Sequence, residues 1–397
     1  MDEQRFTDRR DFLRLLCAST ASLTLLHSGV RAFSAGSPEI GKRRLVILEL
    51  TGGNDGLNTL IPFEDDRYYR LRPTLAVPRS QVHRLRDGLG FAPSLPRLAG
   101  LFHEGKLTIV QSVGIDPPDR SHFTSLDRWH TGRIEISQRS GGWLARGLAD
   151  LEAPSSGAPR AIALGDRAMP LLLRGFGPAA LACETLDEML PEKAVARVLH
   201  SRKLAEVEAL FHGADADLVL AARSLQEALR RIRRLERAKT LNSTLGRKLA
   251  DVLRILQSGL PVPAFFVRMG GFDTHARQAA VHPALLDEVD RSLAAFQKEL
   301  RKAGLADEVL TMVYSEFGRR VAENGSAGTD HGAAAPLFFL GGGLPGGLHG
   351  PSPDLHDLLD GDPRPTCDFR RPLAQCLKHL RHPDPRRILG EPGRPLF

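Results

Sequence analysis

The chain has 397 residues, of which 42% are apolar, 25% charged and 6% aromatic. That balance excludes a disordered polymer, a collagen and a coiled coil, and it supplies the core of one large α/β domain or about two to three smaller ones. Basic residues number 54 against 47 acidic ones, a net charge of +7, but the stretch 202–254 carries most of the excess and reads as a solvated basic helix face. With 18 Phe, 3 Tyr and 2 Trp in the whole chain, platforms for stacking bases are few, and no nucleic-acid partner is expected.

The first 34 residues read as a processing signal. Arg9 and Arg10 precede Phe12 and Leu13, a short apolar core follows, and Ala32, Ser34 and Ala35 form a small-residue cleavage region. This is the layout of a twin-arginine export signal, so the translocase is an expected transient partner and the mature chain, residues 35–397, is expected to be periplasmic or secreted. Other apolar stretches are too short or interrupted to act as a stable transmembrane anchor. Cys183, Cys367 and Cys376 remain in the mature chain; the last two either pair or stay as buried thiols, and no cysteine spacing suggests zinc or an iron–sulfur cluster.

Short apolar, β-branched runs each finish in a polar turn. Residues 44–50 (RLVILEL) lead into TGGNDGLNT, 106–110 (KLTIV) into QSVGIDPPDRSHF, 263–267 (PAFFV) into RMGGFDTH, and 308–314 (EVLTMVY) into SEFGRR. Such runs suit strands buried on both faces, and the helical pattern over 283–303 lies between two of them. The expected fold is α/β, with a large, mostly parallel sheet flanked by helices. The segment 186–258 is expected to be a helical insertion within a single domain. Because parallel strands share one carboxyl edge, Asp55, Asp116, Asp273, His275 and Glu316 are expected to converge there. The Gly- and Pro-rich segment 341–353 suits a lid or rim.

Within GGFDTH, Asp273 and His275 are two apart in an extended segment and project to the same side, either as half of a metal shell or as a hydrogen-bonded turn. Asp330 and His331 lie in GTDHG, and Glu316 directly follows a strand, free to bind a metal or to pair with Arg319 or Arg320. Asp55 sits on a glycine turn. Ser121 and His122 stand where a helix begins, so Ser121 is either a cap or a group facing an anion.

In order, the export signal, LELTGGNDGLNTLIP, RSHFTSLDRWHTG, GGFDTHARQ, YSEFGRR and GTDHGAAAPLFFLGGG resemble the bacterial family called domain of unknown function 1501, itself similar to the alkaline phosphatase and sulfatase superfamily. The resemblance implies a metal site at the strand ends. Asp55 takes the place of the first-strand carboxylate, Asp273 and His275 of the central ligands, and His331 of the last histidine, while Glu316 and Phe317 replace an Asp-His pair. His122 falls at the nucleophile position, beside Ser121, and the Cys-x-Pro-Ser-Arg of sulfatases is absent. The implied cofactor is a divalent metal: zinc, manganese or calcium. Two functions follow. One is a metal-dependent hydrolase of phosphate or sulfate esters, with Ser121 or His122 attacking or relaying a proton and Arg319 or Arg320 holding the anion. The other is a non-catalytic, metal-stabilised envelope protein that binds an anionic small molecule, a glycan or a lipid head group.

Overall fold

In the run RLVILEL every second side chain meets a different layer, and this alternation organises the fold. A computed structural model of the chain describes residues 41–136, 141–151, 158–175, 180–186, 230–391 and 393–397; the expected export signal and residues 187–229 of the expected insertion lie outside them. Strand β1 (Arg44–Leu50) sends Leu45 and Ile47 into one apolar cluster and Val46, Leu48 and Leu50 into the other. Each such side chain removed from water contributes roughly 1.5–3 kcal/mol.

Around β1 the described residues build a nine-stranded sheet. In chain order the others are β2 (Leu107–Gly114), β3 (Ala161–Leu164), β4 (Ala180–Cys183), β5 (Ala264–Met269), β6 (Val309–Tyr314), β7 (Ala335–Gly341), β8 (Gly347–His349) and β9 (Cys367–Asp368). The order across the sheet is β8–β2–β7–β6–β1–β5–β3–β4, with β9 also paired to β2. At the centre Leu48 lies level with Val267 on one side and Val313 on the other, both in parallel register. Only the pairings of β7 are antiparallel, so the sheet is mostly parallel, as expected.

Helices cover both faces. On one side lie α1 (Pro96–His103), α4 (Thr244–Gln257) and α5 (Gln278–Lys302); on the other lie α2 (His122–Thr131), α3 (Trp143–Ala149) and α6 (Arg370–His379). Helix α5 starts five residues before the expected 283 and runs through Pro283, its sixth residue, which forgoes the bond an amide there would give to the Ala279 carbonyl. Gly246 is inside the first turn of α4, and its amide is capped by Ser243 Oγ at 3.0 Å. The segment 341–353 forms strand β8 at the sheet edge, so part of the expected lid belongs to the sheet. Cys367 and Cys376 are separate buried thiols, not a pair.

This topology positions the site. Strands β1, β2, β5 and β6 point the same way, and their carboxyl ends share one edge. Strand β7 runs against β2 and β6, so it is the amino end of β7, just after His331, that arrives at that same edge.

Candidate metal centre

Past β5 the chain stays extended. Phe272 and Thr274 are buried, while Asp273 and His275 face outward. Gly52 makes room for this segment: it adopts φ +120°, and a Cβ there would stand 2.4 Å from the amide nitrogen of Asp273. Past β2, Ser121 caps α2, its Oγ accepting from Thr124 N at 3.5 Å, and His122 is the first helical residue. Phe317, buried beyond β6, stacks against both His122 and His331, with ring centroids 4.8 and 4.7 Å away.

Three imidazoles meet one carboxylate here. Asp273 Oδ1 lies 3.1 Å from His275 Nε2, 3.2 Å from His331 Nε2 and 3.6 Å from His122 Nε2, and the Nε2 atoms of His275 and His331 are 2.8 Å apart. The ligand atoms of His122, Asp273 and His331 all fall within 4.8 Å of one another. Two donors of a tetrahedral zinc ion, each about 2.0–2.2 Å from it, stand roughly 3.3–3.6 Å apart, close to the 3.2 and 3.6 Å from Asp273 to His331 and His122.

The outward-facing nitrogen of each ring has an acceptor. His122 Nδ1 is 2.7 Å from Glu316 Oε1, His331 Nδ1 is 2.7 Å from the carbonyl of Arg120, and His275 Nδ1 is 3.2 Å from Asp330 Oδ1. A carbonyl or carboxylate oxygen can only accept, so each Nδ1 carries the hydrogen, and each Nε2 of a neutral ring turns a lone pair toward the cluster. Nothing among the described residues answers the lone pair of His122: its Nε2 is buried without a hydrogen-bond partner. Lone pairs crowded against a carboxylate repel one another unless a cation or proton lies between them. The set of His122, Asp273 and His331, with the Nδ1 of each ring held from behind, fits a divalent metal.

The electrostatics agree. The hydrogen bond to Glu316 chiefly raises the His122 pKa, against partial burial, so positive charge is favoured there. Burial chiefly lowers that of His331. Burial works to raise Asp273, but the hydrogen bond and positive charge of Arg319 chiefly outweigh it and hold the carboxyl at about 2.

Other expected site residues take supporting places. Glu316, fully buried, accepts from the Gly52 amide at 2.8 Å and from Ser315 Oγ at 3.0 Å as well as from His122. Asp330 is held by Asn324 Nδ2 at 3.0 Å. Asp55 is buried against Arg72 Nη1 at 2.6 Å, accepts from Gln278 Nε2, and caps the turn at Leu57 and Asn58; a guanidinium balances its charge. Asp116 is exposed. Arg319 is buried, with donors directed to the carbonyls of Gly52, Gly53, Phe272 and Thr329 and to Asp273 at 2.7 Å. It fixes Asp273, and these acceptors take up most of its donors. Sequence reasoning missed Arg72, Gln278, Asn324 and the carbonyl of Arg120. Asn324, in a Gly-containing polar turn, carried a weak turn signal; a main-chain acceptor carries none.

The family model described as "Protein of unknown function (DUF1501)" matches residues 114–371. No curated protein matches the chain. Among solved structures, the chain is similar to the C-terminal periplasmic domain of EcEptC from Escherichia coli in complex with Zn (10% identity, 78% of this chain and 74% of that one, TM-score 0.38). It is similar also to the Streptococcus pyogenes phosphoglycerol transferase GacH in complex with sn-glycerol-1-phosphate (10% identity, 98% and 86% covered, TM-score 0.38). A third is the PsFucS1 sulfatase from Pseudoalteromonas sp. (10% identity, 98% and 78% covered, TM-score 0.38). The family match spans more than half of the chain and takes in His122, Asp273, His275 and His331, and the protein accordingly belongs to the DUF1501 family.

Proposed function

We propose that the protein is an exported, metal-dependent hydrolase of phosphate or sulfate esters. The observation that carries this reading is the buried, unpartnered Nε2 of His122, aimed with two further imidazoles at Asp273. Three nitrogens and one carboxylate oxygen favour zinc or manganese over calcium, which prefers six to eight oxygens. When bound, such a cation supplies Lewis acidity toward an ester oxygen and toward water. His122, Asp273, His275 and His331 hold it, Glu316, Asp330 and the Arg120 carbonyl fix the rings, and Arg319 fixes the carboxylate. Arg320, whose side chain is 41% exposed, is the arginine left to meet the anion. The ordered motifs resemble those of DUF1501, a family similar to the alkaline phosphatase and sulfatase superfamily, and this supports an anionic ester as the substrate. Export rests on the twin arginines at 9 and 10; among the described residues no helix is long and apolar enough to cross a membrane.

One observation favours the second reading, a metal-stabilised binding protein for a glycan or lipid head group: the hydroxyl beside the nucleophile position, on Ser121, caps a helix. Metal analysis of the purified protein with nitrophenyl phosphate and nitrophenyl sulfate turnover separates the two. The hydrolase is expected to lose turnover with Asp273→Ala and keep it with Ser121→Ala. Bound metal without turnover on any ester would establish the binding protein, and a metal-free protein would sink both.

A further inference from the structure

Gln111 and Ser112 face a pocket that the metal cluster does not use. Val110 of β2 pairs with Leu337 of β7 and Val113 pairs with Ala335, so Gln111 and Ser112 together stand opposite Pro336 alone. Proline offers the ladder no amide hydrogen, and the extra residue forms a bulge, a device that re-aims side chains beside functional sites. Ser112 takes φ +50°, a strained conformation for a residue with a side chain.

Both side chains are at least nine-tenths buried, at 3% and 5% exposure. Gln111 Nε2 donates to the carbonyl of Gly350 at 2.8 Å, which fixes the amide and leaves Oε1 as a bare acceptor. Neither that oxygen nor Ser112 Oγ has a partner among the described residues. Both line a small cavity whose other walls include Leu57, Pro336, Pro353 and Pro363. Arg319 lines it too, and the same guanidinium holds Asp273.

We propose that this cavity is a subsite for a hydroxyl on the alcohol portion of the substrate, a polyol or a sugar. One hydroxyl satisfies both groups: its O–H donates to Gln111 Oε1 and its oxygen accepts from Ser112 Oγ–H. The leucine and proline walls suit the C–H face of such an alcohol. An anion is mismatched to the bare acceptor of Gln111, and an alkyl group would leave both polar atoms unsatisfied. The inference rests on the ester-hydrolase reading only in attaching this alcohol to a phosphate or sulfate.

Calorimetric titration of the intact, metal-loaded protein with glycerol 1-phosphate and with propyl phosphate tests it. The hydroxylated ligand is expected to bind about tenfold more tightly, the size of one well-made hydrogen bond. Ser112→Gly and Gln111→Leu should each abolish the preference and leave propyl phosphate binding unchanged. Glycine suits the positive φ of Ser112, so Ser112→Gly should hold or raise Tm, which separates lost binding from lost folding. Equal affinity for the two phosphates in the unaltered protein overturns the subsite and leaves the metal reading intact. If neither phosphate binds, the phosphate-ester reading fails, and free glycerol decides the subsite through the ¹⁵N-labelled side-chain amide of Gln111. A saturating shift that Ser112→Gly removes supports the subsite; no shift, or one that survives the substitution, overturns it.

Discussion

Exchanging Glu316 for glutamine preserves shape and removes a charge from behind His122, so this residue measures how much the ring depends on its support. Outer partners of metal-bound histidines commonly govern about 10–100-fold in affinity, and Glu316→Gln is expected to weaken zinc binding by that factor in a competition titration against a chromophoric chelator. Unchanged affinity would show that His122 does not hold the ion. Asp273, His275 and His331 were legible in the sequence because acids and imidazoles in non-helical segments after strands have few structural duties. The place of His122 in the cluster was harder to see, since a residue at a helix start reads first as part of a cap. The neutralisation of Asp55 was not legible at all. Arg72 lies 17 positions away, and only the folded chain brings its guanidinium within 2.6 Å.

At the scale of one element, helix α2 carries His122 at its first position and is tied down along its length. Ser121 caps its start, Trp129 Nε1 donates to the carbonyl of Glu316 at 2.9 Å, and His130 Nε2 meets Glu49 Oε2 at 2.7 Å. Ser121→Ala is expected to cost about 1 kcal/mol of stability, the usual worth of an N-cap, while turnover stays near that of the unaltered protein. A large fall in kcat at unchanged Tm would return Ser121 to the chemistry. The strands were readable because the runs at 44–50, 263–267 and 308–314 are dominated by apolar residues, as double-faced burial demands. Strand β8 was not, because GGGLPGGLHG is a loop by composition, and its three residues pair only because the edge of β2 is open to them. The start of α5 was also missed, since Pro283 marks a boundary in sequence, yet the helix runs through it.

For the molecule as a whole, acid should act through buried groups outside the cluster. His379 donates to the carbonyls of Arg44 and Glu308 at 3.0 and 3.2 Å, and burial lowers its pKa to about 4. It stays neutral when folded and takes up a proton more readily when unfolded, so its contribution is full above about pH 6.5 and fades as pH falls toward 4. Burial would raise Glu49, but His130 and Arg268 outweigh it and hold the carboxyl at about 2; its contribution is present above about pH 4.5 and is lost toward pH 2. Urea midpoints measured with chelator present should therefore fall between pH 7 and pH 5, and His379→Gln should flatten that slope. Adding the metal back at neutral pH should raise Tm, since an ion bound only by the folded state at about 1,000 times its Kd adds roughly 4 kcal/mol. Identical Tm values with metal and with chelator would count against a resident ion. The antiparallel strand β7 has a consequence for biosynthesis. It is the last long strand to leave the ribosome, yet it fills the gap between β2 and β6 and draws His331 in just ahead of it. A nascent chain arrested before His331 therefore exposes two raw sheet borders and an unfinished ligand set, so truncated products should clump and come away without metal.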